Sequence, residues 1–133
     1  MSKFYKQITE WLKGDNMLKK YQWDNKEFYP IISKYAVNGT LAVSLWYRPR
    51  KDSKHLRCWA VISTCLYPES DKLSEDEAYI DTNNCGWAIK FIEKYKLGVY
   101  LHHKARSGFC EYPLYSFDLT KLNGEETMDV TLR

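Results

Sequence analysis

Apolar positions change their period several times along the chain, and each change marks an element. Near the start, Phe4, Ile8, Trp11 and Leu12 fall at i, i+4, i+7 and i+8. That is one face of a helix, which Ser2 can cap and Gly14 can stop. Met17 to Lys26 is mixed and basic; it extends that helix, forms a second short one or serves as a connector. Glu27 to Val37 reads as an extended strand, and Pro30 places it near an edge or a bulge because proline donates nothing to a ladder. Asn38-Gly39 lies between two apolar runs, the pattern of a type I′ hairpin turn whose two central residues need positive φ. The return strand, Thr40 to Arg48, alternates Leu41, Val43, Leu45 and Tyr47 with Ala42, Ser44 and Trp46.

A basic loop from Pro49 to His55 leads to a third strand, Leu56 to Tyr67. Cys58, Ala60 and Ile62 face one way and Trp59, Val61 and Ser63 the other, both sides apolar as in a central strand. Pro68 ends it, and an acidic loop follows. Ala78 to Asp81 predicts a short strand. One of Asp81, Thr82, Asn83 or Asn84 then caps a second helix from about Cys85 to Lys96. Trp87, Ala88, Phe91, Ile92 and Tyr95 form its apolar stripe, and Gly98 closes it. Val99 to His103 and Phe109 to Leu119 alternate as strands, joined by a basic link, and a polar tail begins near Gly124.

This order predicts an α+β fold. An antiparallel meandering sheet of about four to five strands carries an N-terminal helix and a second amphipathic helix packed on it. Residues 1–26 are the helix and basic connector, 27–122 the sheet-plus-helix domain, and 123–133 the tail.

Composition adds two points. A chain of 133 residues suits one core, but 11 Tyr and 5 Trp exceed what a small core needs. They line a half-exposed sheet or an interface. The net charge of +3 is too small to identify a nucleic-acid partner, yet it is unevenly placed. Arg48, Arg50, Lys51, Lys54 and Arg57 stand against Asp52 alone, whereas Glu69, Asp71, Glu75, Asp76 and Glu77 stand against Lys72. One loop is a basic pole and the other an acidic pole.

Candidate chemistry is sparse. Cys58, Cys65, Cys85 and Cys110 include no pair at the two-residue spacing of a zinc knuckle or redox motif. The start lacks an apolar signal core, and no run approaches the ~18 apolar residues of a membrane span. Free thiols in a reducing cytoplasm are expected, with no membrane partner. Cys110 with His102 or His103 is the one nucleophile–base pair to weigh, but nothing orients either histidine. On a strand, adjacent His102 and His103 face opposite sides and do not chelate one ion. Neither a metal, a cofactor nor catalysis is expected.

Binding is the better reading. Trp46, Tyr47, Arg48, Arg50 and Lys51, extended by Lys54 and Arg57, join a strand end to a cationic loop. Lys94, Lys96, His102, His103, Lys104 and Arg106 form a second basic region after the second helix, and Glu75, Asp76 and Glu77 an acidic one. Cations beside aromatics bind phosphates and stack bases, so two basic regions on one side would form a stripe for RNA, DNA or an acidic protein groove.

Three segments, KYAVNGTLAVSL, AYIDTNNCGWAIKFIEKYKLG and SGFCEYPLYSFDL, resemble a small domain-of-unknown-function family. That family is found on plasmids and integrative elements of Gram-positive bacteria. The resemblance spans Lys34 to Leu122, about two-thirds of the chain, and implies an antiparallel sheet carrying a helix with no cofactor. Such families travel in gene clusters that also hold anti-CRISPR proteins, and the chain is similar in size and charge to small inhibitors of type II-A Cas9. The resemblance implies a non-enzymatic protein, monomeric or homodimeric, in the cytoplasm of a bacterial host. It would bind a Cas9–guide RNA complex and block DNA binding or activation. Mild basicity argues against DNA mimicry, leaving the acidic loop on a basic channel or the basic regions on guide RNA. The alternative is a small nucleic-acid-binding accessory or regulatory protein of the element.

Overall fold

The computed structural model describes residues 18–124. The helix expected over residues 2–14 and the tail beyond residue 124 lie outside the described residues. The first sheet contains β1 (Tyr21–Trp23), β2 (Lys26–Lys34), β3 (Leu41–Tyr47) and β4 (Arg57–Val61), paired in that order. The second contains β5 (Ser63–Thr64), β6 (Glu77–Ile80), β7 (Gly98–Ser107) and β8 (Cys110–Phe117), in the spatial order β5-β6-β8-β7. A last short strand, β9 (Asn123–Gly124), runs parallel to β2; all other pairings are antiparallel. The single α-helix among the described residues, α1 (Ala88–Tyr95), lies between β6 and β7 in the chain.

The architecture is therefore mostly antiparallel sheet with one helix. The expected single meander is instead two sheets, and the third predicted strand is what divides them. Its chain changes partners at Ile62, whose N–H donates to Val43 O (3.0 Å) while its carbonyl accepts from Asp81 N (2.8 Å). The helix unites the two layers. Phe91 and Ile92 pack in one core with Phe28, Val43 and Leu45 from the first sheet and Ile80, Tyr115 and Phe117 from the second.

Part of the aromatic content is used at this seam. Tyr21, Trp23, Phe28, Trp87 and Tyr95 surround Phe91 with ring centroids 5.6–6.4 Å from it, mostly edge-on. Edge-to-face contact suits the ring quadrupole and adds to the area buried. Most of these rings thus bind the helix to the first sheet rather than decorate a surface.

Two turns differ from expectation. Asn38-Gly39 lies in a hairpin, but the loop holds four residues: Gly39 N donates to Tyr35 O (2.7 Å) and Tyr35 N to Thr40 O (2.8 Å). Gly39 has φ +73° and Asn38 does not share it; the Asn38 side chain is used instead, accepting from Thr40 and donating to Asp71. The two-residue turn with paired positive φ is Asp24-Asn25, at 51° and 63°. It makes β1 and β2 a hairpin, so the supposed connector is partly strand.

Pro30 is accommodated inside β2. Its carbonyl points away from β3 and accepts from Asn123 Nδ2 (2.9 Å), so its nitrogen also faces the gap between β1 and β9, where no ladder donor is needed. Asn123 is 3% exposed and also exchanges two hydrogen bonds with the Lys19 backbone, each 2.9 Å. The start of the presumed tail is a buried clasp.

The helix termini also shift. Asp81 accepts from Asn84 N and so braces the turn before the helix, while the N-cap position is Trp87 without a side-chain cap. At the other end Lys96 takes the left-handed conformation (φ 53°), and Leu97 N bonds to Ile92 O (2.9 Å). Gly98 serves packing: a Cβ there would lie 2.9 Å from Ser116 O.

Candidate functional site

The basic loop after β3 does not stand alone. It faces the β1–β2 hairpin across a cleft of about 450 Å³. Asn25, Lys26, Glu27 and Tyr29 line one side; Tyr47, Arg48, Pro49, Arg50 and Lys51 line the other. Four cations thus converge against one carboxylate, with buried Tyr29 and half-buried Tyr47 among them.

Local hydrogen bonds set this geometry. Arg50 N donates to Ser53 Oγ and Ser53 N to Arg50 O, both 3.0 Å, closing a tight turn. Arg48 Nη1 reaches Lys51 O at 3.4 Å. Arg50 is 4.0 Å from Asp52, but both side chains are over 80% exposed, so the pair restrains the guanidinium weakly. Opposite, the Asp24-Asn25 turn brings Lys26 to the cleft mouth.

Trp59 stands at the rim. Leu45 pairs with Ala60 and Trp46 with Cys58, so Trp59 is the extra residue of a β-bulge. The bulge breaks the alternation expected for this strand and leaves Trp59 48% exposed. Its ring lies 5.8 Å from Phe28 and 5.4 Å from Tyr47, and Lys26 Nζ is 5.2 Å from its centroid.

Of the residues expected to bind a partner, Tyr47, Arg48, Arg50 and Lys51 meet in this cleft. Trp46 lies on the other face of β3, with its indole N–H donating to Ser44 Oγ (2.9 Å). Lys54 and Arg57 are exposed outside the cleft lining. The acidic loop is largely occupied by its own fold: Asp76 accepts from Ser116 Oγ (3.1 Å) and Glu77 from Ser74 N (2.9 Å). Glu75 remains exposed.

The second basic region is strand, not a link. Three residues, Leu101 to His103, bulge opposite Leu114 in β7. The ring of His102 meets Tyr100 at 4.8 Å and that of His103 meets Tyr79 at 6.2 Å, two tyrosines packed in different clusters. Lys104 lines a separate cavity of about 300 Å³ with Tyr100 and Tyr115, and Arg106 pairs with Glu111 at 3.3 Å. Strands β5, β6 and β8 separate β7 from the β4 side, and the two cavities share no residue. The two regions line separate cavities, while Lys94 lies against β1 with its Nζ 5.8 Å from the Trp23 ring centroid.

Cys110 pairs with Ser107, four residues along β7 from His103 and roughly 13 Å at strand rise. The structure does not bring the thiol to either imidazole. Among the described residues no group of three His, Cys, Asp or Glu could hold a metal ion, and no helix is long and apolar enough to cross a membrane.

No periodicity or charge run in the sequence singles out Lys26, Tyr29 or Trp59. The Asp24-Asn25 pair, both tolerant of positive φ, flanked by YQW and KEFY, was the available signal for the first two. A bulge has no comparable signature.

No curated protein and no solved structure matches the chain. A family profile described as a domain of unknown function, DUF4313, matches residues 31–131. The match begins within β2 and takes in the basic loop, Trp59, the helix and the long β7–β8 hairpin, but not Lys26. Covering most of the sequence, it places this chain in the DUF4313 family.

Proposed function

We propose that this protein is a non-catalytic binder of nucleic acid acting through the cleft between the β1–β2 turn and the loop after β3. The observation that carries this reading is the convergence of Lys26, Arg48, Arg50 and Lys51 on a concavity holding two tyrosines. Phosphate oxygens are the ligand such a set accommodates best, since cations of one sign gain little from an uncharged partner. The narrower form is inhibition of a type II-A Cas9 by contact with its guide RNA, as a mobile-element protein. It is supported by the resemblance of the quoted segments and by the occupation of Asp76 and Glu77 in local bonds, which weakens the acidic route.

The test is binding of labelled RNA and DNA oligonucleotides as salt is varied. Affinity should fall with salt with a log–log slope of about −2 to −3.5, reflecting three or four phosphate contacts. Absence of binding at about 50 mM salt, where such contacts are strong, would sink the reading. A guide-loaded Cas9 cleavage assay tests the narrower form: protection near stoichiometric ratios supports it, and full cleavage at large excess removes it for the enzymes assayed.

A further inference from the structure

Resting on the nucleic-acid reading, we infer that Trp59 is the stacking platform for a nucleobase, and that single strands rather than duplexes are what this surface takes. A cleft of cations alone would accept any polyanion. Trp59 adds a second recognition element beside it. The bulge inserts this one residue between the Leu45–Ala60 and Trp46–Cys58 pairs and holds a large indole half in solvent. Phe28 and Tyr47 brace the ring, the latter nearly perpendicular at 87°. A ring so fixed loses little freedom when a base settles on it.

Lys26 joins the two elements. Its ammonium lies over the Trp59 ring and its side chain also lines the cleft. A base on the indole displaces the ammonium toward the adjoining backbone phosphate, so one contact is exchanged for two. Bases within a duplex have their faces covered by neighbouring pairs, whereas an unpaired base offers a free face. The surface therefore distinguishes strandedness although phosphates alone do not.

The test compares an oligouridine RNA of about 12 nucleotides, one site's worth, with an RNA duplex of equal length, by fluorescence anisotropy. Wild-type protein, Trp59→Leu and Trp59→Phe are each first checked for an intact thermal transition. Wild type should favour the single strand. Trp59→Leu should weaken single-strand binding about 5- to 100-fold and leave duplex binding unchanged, and Trp59→Phe should recover most of the loss. Equal affinity for both RNAs, or unchanged single-strand binding in Trp59→Leu, overturns the inference while the cationic cleft stands. No binding of either RNA by wild type overturns the nucleic-acid reading itself.

Discussion

The loop after β3 and the outer strand β7 each carry a run of cations with aromatic rings nearby: Arg48, Arg50 and Lys51 in one, Lys104 and Arg106 with two histidines in the other. Their surroundings differ. In β7 the three-residue bulge, with His102 in the left-handed conformation (φ 59°), turns the histidines against different tyrosines, and Arg106 is engaged by Glu111. In the loop, the turn closed at Ser53 sets Arg50 and Lys51 beside Arg48 at the cleft, and a separate hairpin supplies Lys26. Charge density along a chain becomes charge density in space only where backbone geometry stops dividing it.

The largest effect should come from reversing charge in the two places. Arg50→Glu with Lys51→Glu should lower oligonucleotide affinity about 100-fold at low salt and reduce the salt slope by about 2. Lys104→Glu with Arg106→Glu should change affinity less than about 3-fold, since β7 adds no convergent phosphate site. Equal losses in the two double variants would break the contrast.

The difference was only partly visible in the residues. The cationic loop was legible, because Arg48, Arg50 and Lys51 are close in sequence. Its partner was not: Lys26 lies some twenty residues earlier, and its approach depends on a tight turn hidden in a stretch read as helix or connector. The helix stripe was legible because Phe91, Ile92 and Tyr95 follow a local period. The division into two sheets was not, because strand periodicity at Ile62 and Ser63 reports burial without naming which neighbour each residue bonds. Asn38-Gly39 has the chemistry of a type I′ turn, yet the chain uses the Asn38 amide to bind Asp71, a contact distant in sequence.

A second difference concerns what holds each region. The cleft side depends on Asn123, whose buried amide serves Lys19 and Pro30. Asn123→Ala leaves those groups without this partner and should cost about 2 kcal/mol in urea unfolding. Hydrogen exchange should rise in β1 and β2 more than in β7 and β8. Uniform loss of protection would mean that the clasp supports the whole molecule equally.

The β7–β8 side is tied to the helix by Tyr115, whose hydroxyl donates to Glu93 Oε2 (2.9 Å). Burial first, then Glu93, pushes this phenol well above the ordinary tyrosine range. Above pH ~10 the unfolded chain ionises while folded Tyr115 stays protonated, so stability is lost as pH rises. Tyr115→Phe should cost about 1 kcal/mol at neutral pH, and the gap to wild type should narrow above pH ~10. A constant gap across the alkaline range would assign the alkaline loss to other groups.

The smallest effect is the sharpest check on β7. Arg106 Nη2 and Glu111 Oε2 are 3.3 Å apart with both side chains more than half exposed. Exposed pairs contribute little, so Glu111→Gln should shift stability by less than about 0.5 kcal/mol. It also releases Arg106 and removes a carboxylate beside Lys104. If β7 lies outside the nucleic-acid contact, affinity should rise less than about 2-fold, the residual effect of one added charge screened by salt. A rise of about 10-fold would mean that Glu111 had been holding a phosphate contact in check, and β7 would join the cleft as part of the binding surface.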